Sequence, residues 1–493
     1  MNSDNKGISW VTPVYVRTWF GMLGGLLFAL FVALQIGHSN AKIMVGLLCI
    51  FALFAFMIRL GKRVWLIYAF GMNLSMPAPF AFGKSFSIRE VLCLMLLAQA
   101  LFQMGTHRQV FRVVQLRYIF FLLYTGWAAL VLALNPIGFA VFGSDVVGGR
   151  FYFQLFLITA VFLILSQGEI RKGDAKWFVW LVMSSALLNL AYAIHSYQAV
   201  DIPFEGMVGE EDYYSWHQVL AIPSTVLLKF LFARYSLSYF LSLSGWYWVP
   251  VLGLSYVVVL LSGKRAAVAN SVLYPLLTTF IRRQWIMVIL TITFAFFAAI
   301  LLAYGQGRYY ELPLTVQRAI SYLPGKWHAT ADLGVEDPFR RMLREDAMDR
   351  IEQNPIIGKG ISVDVNSYWA DRLIGGQQIT GNLAGGSWHT TWLGIAADFG
   401  IPAAFFWGFM LMQVTVISYR LFRGFPEGSY LKTMAGYLFI TIIALWTNSW
   451  TSGHAVLDAF NYWWLLALLF PLQNTMAQMK KEQAALEEAR DWE

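Results

Sequence analysis

Lys264 and Arg265 stand side by side in Ser262-Gly263-Lys264-Arg265-Ala266-Ala267, between two strongly apolar runs. Arginine offers a planar fork to phosphate oxygens and lysine a compact point charge, so the pair suits an anionic ligand. Arg150 follows Gly148-Gly149 at the start of another apolar run and is a second candidate of the same kind. A third lies where Asp337-Pro338 opens a helix and Asn354-Pro355 closes it. There Arg340, Arg341 and Arg344 share an arc of about 100°. Glu345, Asp346, Asp349 and Glu352 share another arc, about 120° wide. Segregated charges of this kind fit an arginine strip braced by acids, and they equally fit a solvated helix held by Glu–Arg pairs.

His389 is the candidate base. In Gly385-Gly386-Ser387-Trp388-His389-Thr390-Thr391, Ser387 is placed to cap a long apolar helix. His389 then falls in its first turn, where the positive helix end disfavours protonation. A neutral imidazole is what a general base needs, and interfacial packing is the plainer reading of one histidine. His454 and Asp458 are spaced to touch across one helical turn, orienting a substrate or simply satisfying each other. Asp398, nine residues beyond His389, faces about 180° away from it on a helix.

The elements that must position these residues are membrane spans. The chain has 493 residues, 58% hydrophobic and only 13% charged, with a mean hydropathy of +0.56. That charged share is about half the globular norm, which excludes a soluble enzyme, a disordered chain and a nucleic-acid binder. Cys49 and Cys93 lie in apolar runs and make neither a disulfide framework nor a zinc-ligand spacing. Windows of about 20 apolar residues give fourteen candidate spans: 19–36, 42–58, 64–81, 90–106, 118–136, 151–168, 177–195, 216–233, 237–261, 266–281, 285–304, 389–418, 433–451 and 455–472. The first is read as a retained helix and not a signal peptide, because no small-x-small cleavage site follows it.

Charge orients them. With a cytoplasmic N-terminus, the inner segments hold twenty of the 36 Lys and Arg and the short outer loops hold six, as the positive-inside rule requires. Both termini then lie in the cytoplasm. Lys264, Arg265 and Arg150 are the outer-side exceptions, and basic residues at a membrane surface where the rule does not want them suggest function; snorkelling to lipid headgroups is the alternative. Two outer segments are long: the acidic stretch 196–215, and 305–388, which has the composition of a small soluble subdomain. The expected organisation is therefore residues 1–304 as membrane helices, 305–388 as a periplasmic subdomain, 389–472 as C-terminal membrane helices and 473–493 as a cytoplasmic tail.

Three short segments in this order resemble the O-antigen ligase and O-antigen polymerase superfamily. They are the arginine turn 262–267; Asn354-Pro355-Ile356-Ile357-Gly358-Lys359-Gly360-Ile361; and His389-Thr390-Thr391-Trp392-Leu393 followed by Asp398-Phe399-Gly400-Ile401-Pro402. Thr390 stands where that family usually has Asn, and Lys264 where it has Ser. The resemblance implies an all-α polytopic membrane protein of about 12–14 helices, GT-C-like, with a large periplasmic loop. It implies a bacterial inner-membrane transferase acting at the periplasmic face on a glycan carried by undecaprenyl diphosphate. The acceptor would be a hydroxyl of a glycan, of lipid A–core or of a protein. His389 would take the base role and Arg265 the diphosphate-binding role, with Lys264, Arg150, Arg340, Arg341, Arg344, His454 and Asp458 around the substrates. No cofactor, metal or nucleic acid enters that chemistry; membrane lipids surround it.

Two other classes fit parts of the sequence. A metal-dependent transferase would want acids in its first outer loop, and residues 37–41 contain none; only the acidic 201–212 stretch could hold a divalent ion. A polysaccharide or lipid transporter would suit fourteen spans, but such proteins show internal repeats and midplane ionisable residues. Asp398 and Lys229 are the only residues here that lean that way.

Overall fold

A computed structural model of the chain describes residues 41–72, 74, 87–106, 115–136, 149–199, 215–328, 338–361, 390–451 and 455–490. Among these the regular structure is helical. The first helices are α1 (Ala41–Leu60), the short α2 (Trp65–Gly71), α3 (Ile88–Gly105), α4 (Ile119–Leu134), α5 (Gly149–Leu165), α6 (Ala175–Ala199), α7 (Ser215–Arg234), α8 (Val249–Leu261), α9 (Arg265–Ile281) and α10 (Trp285–Gly305). After α10 come the short α11 (Leu314–Ile320), then α12 (Pro338–Gln353), α13 (Thr391–Phe399), α14 (Ile401–Gly424), α15 (Tyr430–Thr451), α16 (Ala455–Ala467) and α17 (Leu469–Arg490).

Six helices among the described residues are long and apolar enough to cross a bilayer: 88–105, 116–134, 175–192, 285–305, 401–424 and 430–450. The chain is thus a polytopic α-helical membrane protein. α10 makes the point most directly. Ile286, Phe294 and Phe297 are largely exposed, and of its residues only Gly305 is buried. A helix apolar on every face yet uncovered by protein is stable only in lipid.

Four expected spans divide differently. Of 64–81 only Trp65–Gly71 is a described helix, too short to cross. The run 237–261 is one turn, Leu237–Phe240, then a break before α8. Ser242 turns its hydroxyl onto the Tyr239 carbonyl at 2.6 Å, and Gly245 sits where any Cβ would overlap that carbonyl. Serines that bond the local backbone offer it an alternative to helix. The run 389–418 splits at Gly400, whose φ of +83° ends α13; Pro402 then suits the first turn of α14. The run 455–472 is interrupted at Leu468 because Pro471 has no N–H to give to residue 467. Residues 19–36 lie outside the described ones.

The core is aromatic where α4, α5, α14 and α16 meet. Phe121 stacks on Phe162 with centroids 3.9 Å apart, and Trp463 meets both rings edge-on. Tyr124 bridges to Trp407 and Phe399. Such pairs add about 0.5–1.5 kcal/mol each beyond burial. Where lipid is as apolar as leucine, specific packing of this kind holds the helices together.

The two ends of the bundle differ in chemistry. One end holds Arg63 paired with Asp174 (Nε–Oδ2 2.7 Å), Lys172 with Glu482 at 3.2 Å, Lys432 with Glu427 at 2.7 Å, and Arg282 capping the Ala233 carbonyl at 2.9 Å. Its basic residues are among those expected on the cytoplasmic side. The other end gathers the residues singled out for chemistry.

Candidate functional site at one end of the bundle

The arginine turn is built by its small residues. Ser262 is fully buried and donates to the Val259 carbonyl at 2.6 Å; its oxygen accepts the Lys264 N–H at 3.3 Å. Gly263 has a φ of +69°, which sends the chain straight into α9. Lys264 is exposed, yet enough protein surrounds its ammonium group to lower its pKa by desolvation. Arg265 opens α9 half-buried, and its Nε donates 3.0 Å to the carbonyl of Arg318 in the last turn of α11. The contact ties the turn that carries Lys264 and Arg265 to α11.

α11 is held in a compact stretch between residues 305 and 328. Gln306 accepts the Leu312 N–H at 2.8 Å. Gln317 donates to the Leu312 carbonyl at 2.8 Å and accepts the His328 N–H at 2.9 Å.

The second and third signature segments lock together. Gly360 N–H donates to the Asp398 carbonyl at 2.7 Å, Lys359 N–H to Ala397 at 3.2 Å and Ile401 N–H to Pro355 at 2.8 Å. Trp127 donates its indole N–H to the Phe399 carbonyl at 2.7 Å, and the Ile361 N–H reaches the Tyr152 hydroxyl at 3.3 Å. Glycines make the approach possible. A Cβ on Gly358 would lie 2.5 Å from the Asp398 carbonyl oxygen, and one on Gly400 would overlap that of Ile356. α12 packs onto α13 through Ala347 and Ile351 against Ala397 and Leu393. Its charged residues Arg341, Arg344, Glu345 and Asp349 stay exposed, and Arg350 pairs with Asp346 at 3.1 Å. The structure thus joins Arg265 to α11 and α12 to α13, as two separate contacts.

Asp398 is buried in this junction. Asp458, also buried, accepts the Thr391 hydroxyl at 2.6 Å, which ties the start of α13 to the start of α16. His454, expected beside Asp458, lies outside the described residues, as does His389; of Arg340 only the helical backbone is described. Trp392, one residue after Thr391, lies against Trp446 and Trp450 in tilted contacts with centroids 5.8 and 5.6 Å apart, and Trp450 is exposed, an aromatic cluster of the kind found at membrane interfaces.

Arg150 has a partner that its sequence position does not announce. Its guanidinium meets Glu90 at 3.1–3.3 Å, and Glu90 is 1% exposed. The same carboxylate accepts the Ser87 N–H at 2.8 Å, the Ser87 hydroxyl at 3.0 Å and Gln154 at 2.8 Å. Beside it, Arg89 donates to Asn461 at 2.5 Å and to the Leu74 carbonyl at 3.0 Å. The signal was present: Ser87-Ile88-Arg89-Glu90 is a capping box, and it forms. Arg318 has no such signal; only folding of the loop brings it to Arg265.

Among the described residues no group of three or more His, Cys, Asp or Glu side chains is placed to hold a metal ion. Compared with models of known protein families and with curated proteins, the chain matches none.

Proposed function

We propose that this protein is a GT-C-like glycosyltransferase of the bacterial inner membrane. It moves a glycan from undecaprenyl diphosphate to an acceptor hydroxyl at the periplasmic face. The observation that carries the reading is the interlock of residues 354–361 with 397–401, at the bundle end that also bears Arg265. Segments far apart in sequence, each resembling a piece of the O-antigen ligase and polymerase signature, support one another in space. Lys264 and Arg265, adjacent in one turn, fit the electrostatic need of the chemistry.

In that chemistry the acceptor oxygen attacks the anomeric carbon and the bond from carbon to diphosphate oxygen breaks. The electron pair leaves with the diphosphate, and the hydroxyl proton passes to a base. Arg265 and Lys264 stabilise the departing anion, which is commonly the largest catalytic contribution. His389 takes the proton, worth about 10²–10⁴-fold. One displacement inverts the anomeric centre.

The test is reconstitution in nanodiscs with undecaprenyl-diphosphate glycan, with and without lipid A–core. Longer glycans from donor alone identify a polymerase; product only with lipid A–core identifies a ligase. Arg265→Ala lowers the transfer rate by about 10²–10³-fold, and His389→Ala by about 10²–10⁴-fold. Transfer at the wild-type rate in both variants overturns the site.

One feature favours a second reading, a polysaccharide or lipid transporter. Lys229 lies within α7, with its ammonium group 5.9 Å from the Tyr274 ring and 5.7 Å from the Tyr437 ring. An ionisable residue inside a membrane helix marks a transport path in many carriers. Movement of a lipid-linked glycan across a vesicle membrane without glycosidic bond formation decides for that reading.

A further inference from the structure

At the outer end of α10 a cavity of about 530 Å³ opens between the last turns of the helix and residues 323–326. Its walls are apolar, formed by Phe296, Ile300, Ala303 and Leu323. Two cations, Arg308 and Lys326, line the same cavity, and both are exposed. Arg308 is held with its guanidinium 4.0 Å from the centroid of the Tyr304 ring, itself part of the lining. Among the described residues neither cation forms an ion pair.

The rest of α10 is bare apolar surface. The cavity therefore continues, without a polar barrier, onto a helix face that only lipid tails can cover. A ligand suited to it has an anionic head for Arg308 and Lys326 and a hydrocarbon tail to lie along Ile300 and Phe296. The volume admits a phosphoglycerol head and the first carbons of its chains. A site open sideways to the bilayer is filled by mass action, so the abundant lipid of matching charge occupies it.

We infer that this cavity is a binding site for an anionic glycerophospholipid, with its phosphate held between Arg308 and Lys326. The site is distinct from the Arg265 turn and does not depend on the transferase reading. It braces the segment that carries α11. Gln306, which lines the cavity, accepts the Leu312 N–H, and Leu312 is bonded in turn to Gln317.

Native mass spectrometry of the full-length protein in detergent tests this. Phosphatidylglycerol, phosphatidylcholine and undecaprenyl phosphate are offered at equal mole fraction and the retained adducts counted. The expected result is one phosphatidylglycerol retained at least tenfold over phosphatidylcholine. Arg308→Gln/Lys326→Gln removes that preference, as the loss of two headgroup contacts requires. Ala299→Trp keeps both cations, fills the apolar part and also removes the adduct. Lys480→Gln/Lys481→Gln, on the exposed tail helix α17, leaves it unchanged. Equal retention of the two phospholipids by wild type, or an unchanged preference in the Arg308/Lys326 variant, overturns the inference. So does displacement of phosphatidylglycerol by an equal fraction of undecaprenyl phosphate.

Discussion

Replacing Arg150 with methionine destabilises the protein by about 3 kcal/mol, more than twice the effect of Glu90→Gln. The reasoning starts from who is left behind. Without Arg150, the carboxylate of Glu90 stays at 1% exposure. It keeps Ser87 and Gln154 as donors, but no cation balances it. Breaking a buried pair from one side costs about 3–5 kcal/mol, and the retained donors put this case at the low end. Glu90→Gln acts the other way. Gln still accepts the Ser87 N–H, so the capping box survives. Arg150, at 25% side-chain exposure, turns to water or headgroups, and the loss is about 1 kcal/mol. The double variant costs less than the sum, because neither charge is stranded. Unfolding midpoints of the four proteins in one detergent give the ranking. If Arg150→Met costs under about 1 kcal/mol while transfer collapses, Arg150 serves the substrate and its contact with Glu90 is incidental.

How far the sequence could be read depended on whether the informative contact was local. The Ser87–Glu90 capping box is local in sequence, and so is the charged helix after Pro338. The partner of that carboxylate is Arg150, sixty residues on, and no periodicity connects them. The same holds for Arg265 and the Arg318 carbonyl, fifty-three residues apart. Span counting erred where apolarity persisted through a backbone break. Between 389 and 418 the hydropathy barely falters at Gly400, yet its positive φ divides two helices. Between 237 and 261 the serines and Gly245 were the visible sign that one span was not continuous. The signature segments were legible as short motifs. That they bond to each other was not, because backbone hydrogen bonds between remote loops leave a trace only in the glycines that permit them.

Those glycines carry the second large effect. Gly400→Ala destabilises the protein by about 3–4 kcal/mol, whereas Gly428→Ala costs about 1 kcal/mol. Both residues have positive φ, +83° and +74°, so alanine is strained at each, and the ψ of 166° puts Gly400 in a region essentially confined to glycine, at a cost of about 1–3 kcal/mol. Their surroundings separate them. Around Gly428 a Cβ meets nothing within 4 Å; at Gly400 it overlaps the Ile356 carbonyl oxygen. That oxygen belongs to backbone and cannot swing aside like a side-chain tip. The segments must part, and the bonds from Ile401 to Pro355, Gly360 to Asp398 and Lys359 to Ala397 weaken together. At about 0.5–1.5 kcal/mol each, they add to the backbone strain at Gly400 to give the excess over Gly428→Ala. Hydrogen exchange reads the same event locally: the amides of Lys359, Gly360 and Ile401 lose protection in Gly400→Ala while those in α15 keep theirs. Equal costs for the two alanines, with unchanged exchange at those amides, would mean that the interlock does not hold α13. If it does hold, transfer falls in Gly400→Ala although no charged side chain has changed. α13 begins two residues after His389, with Thr390 and not Ser387 at its cap position, so His389 precedes the helix; its start is tied to Asp458 through Thr391. A loosened Gly400 junction therefore frees the far end of the helix that follows the proposed base.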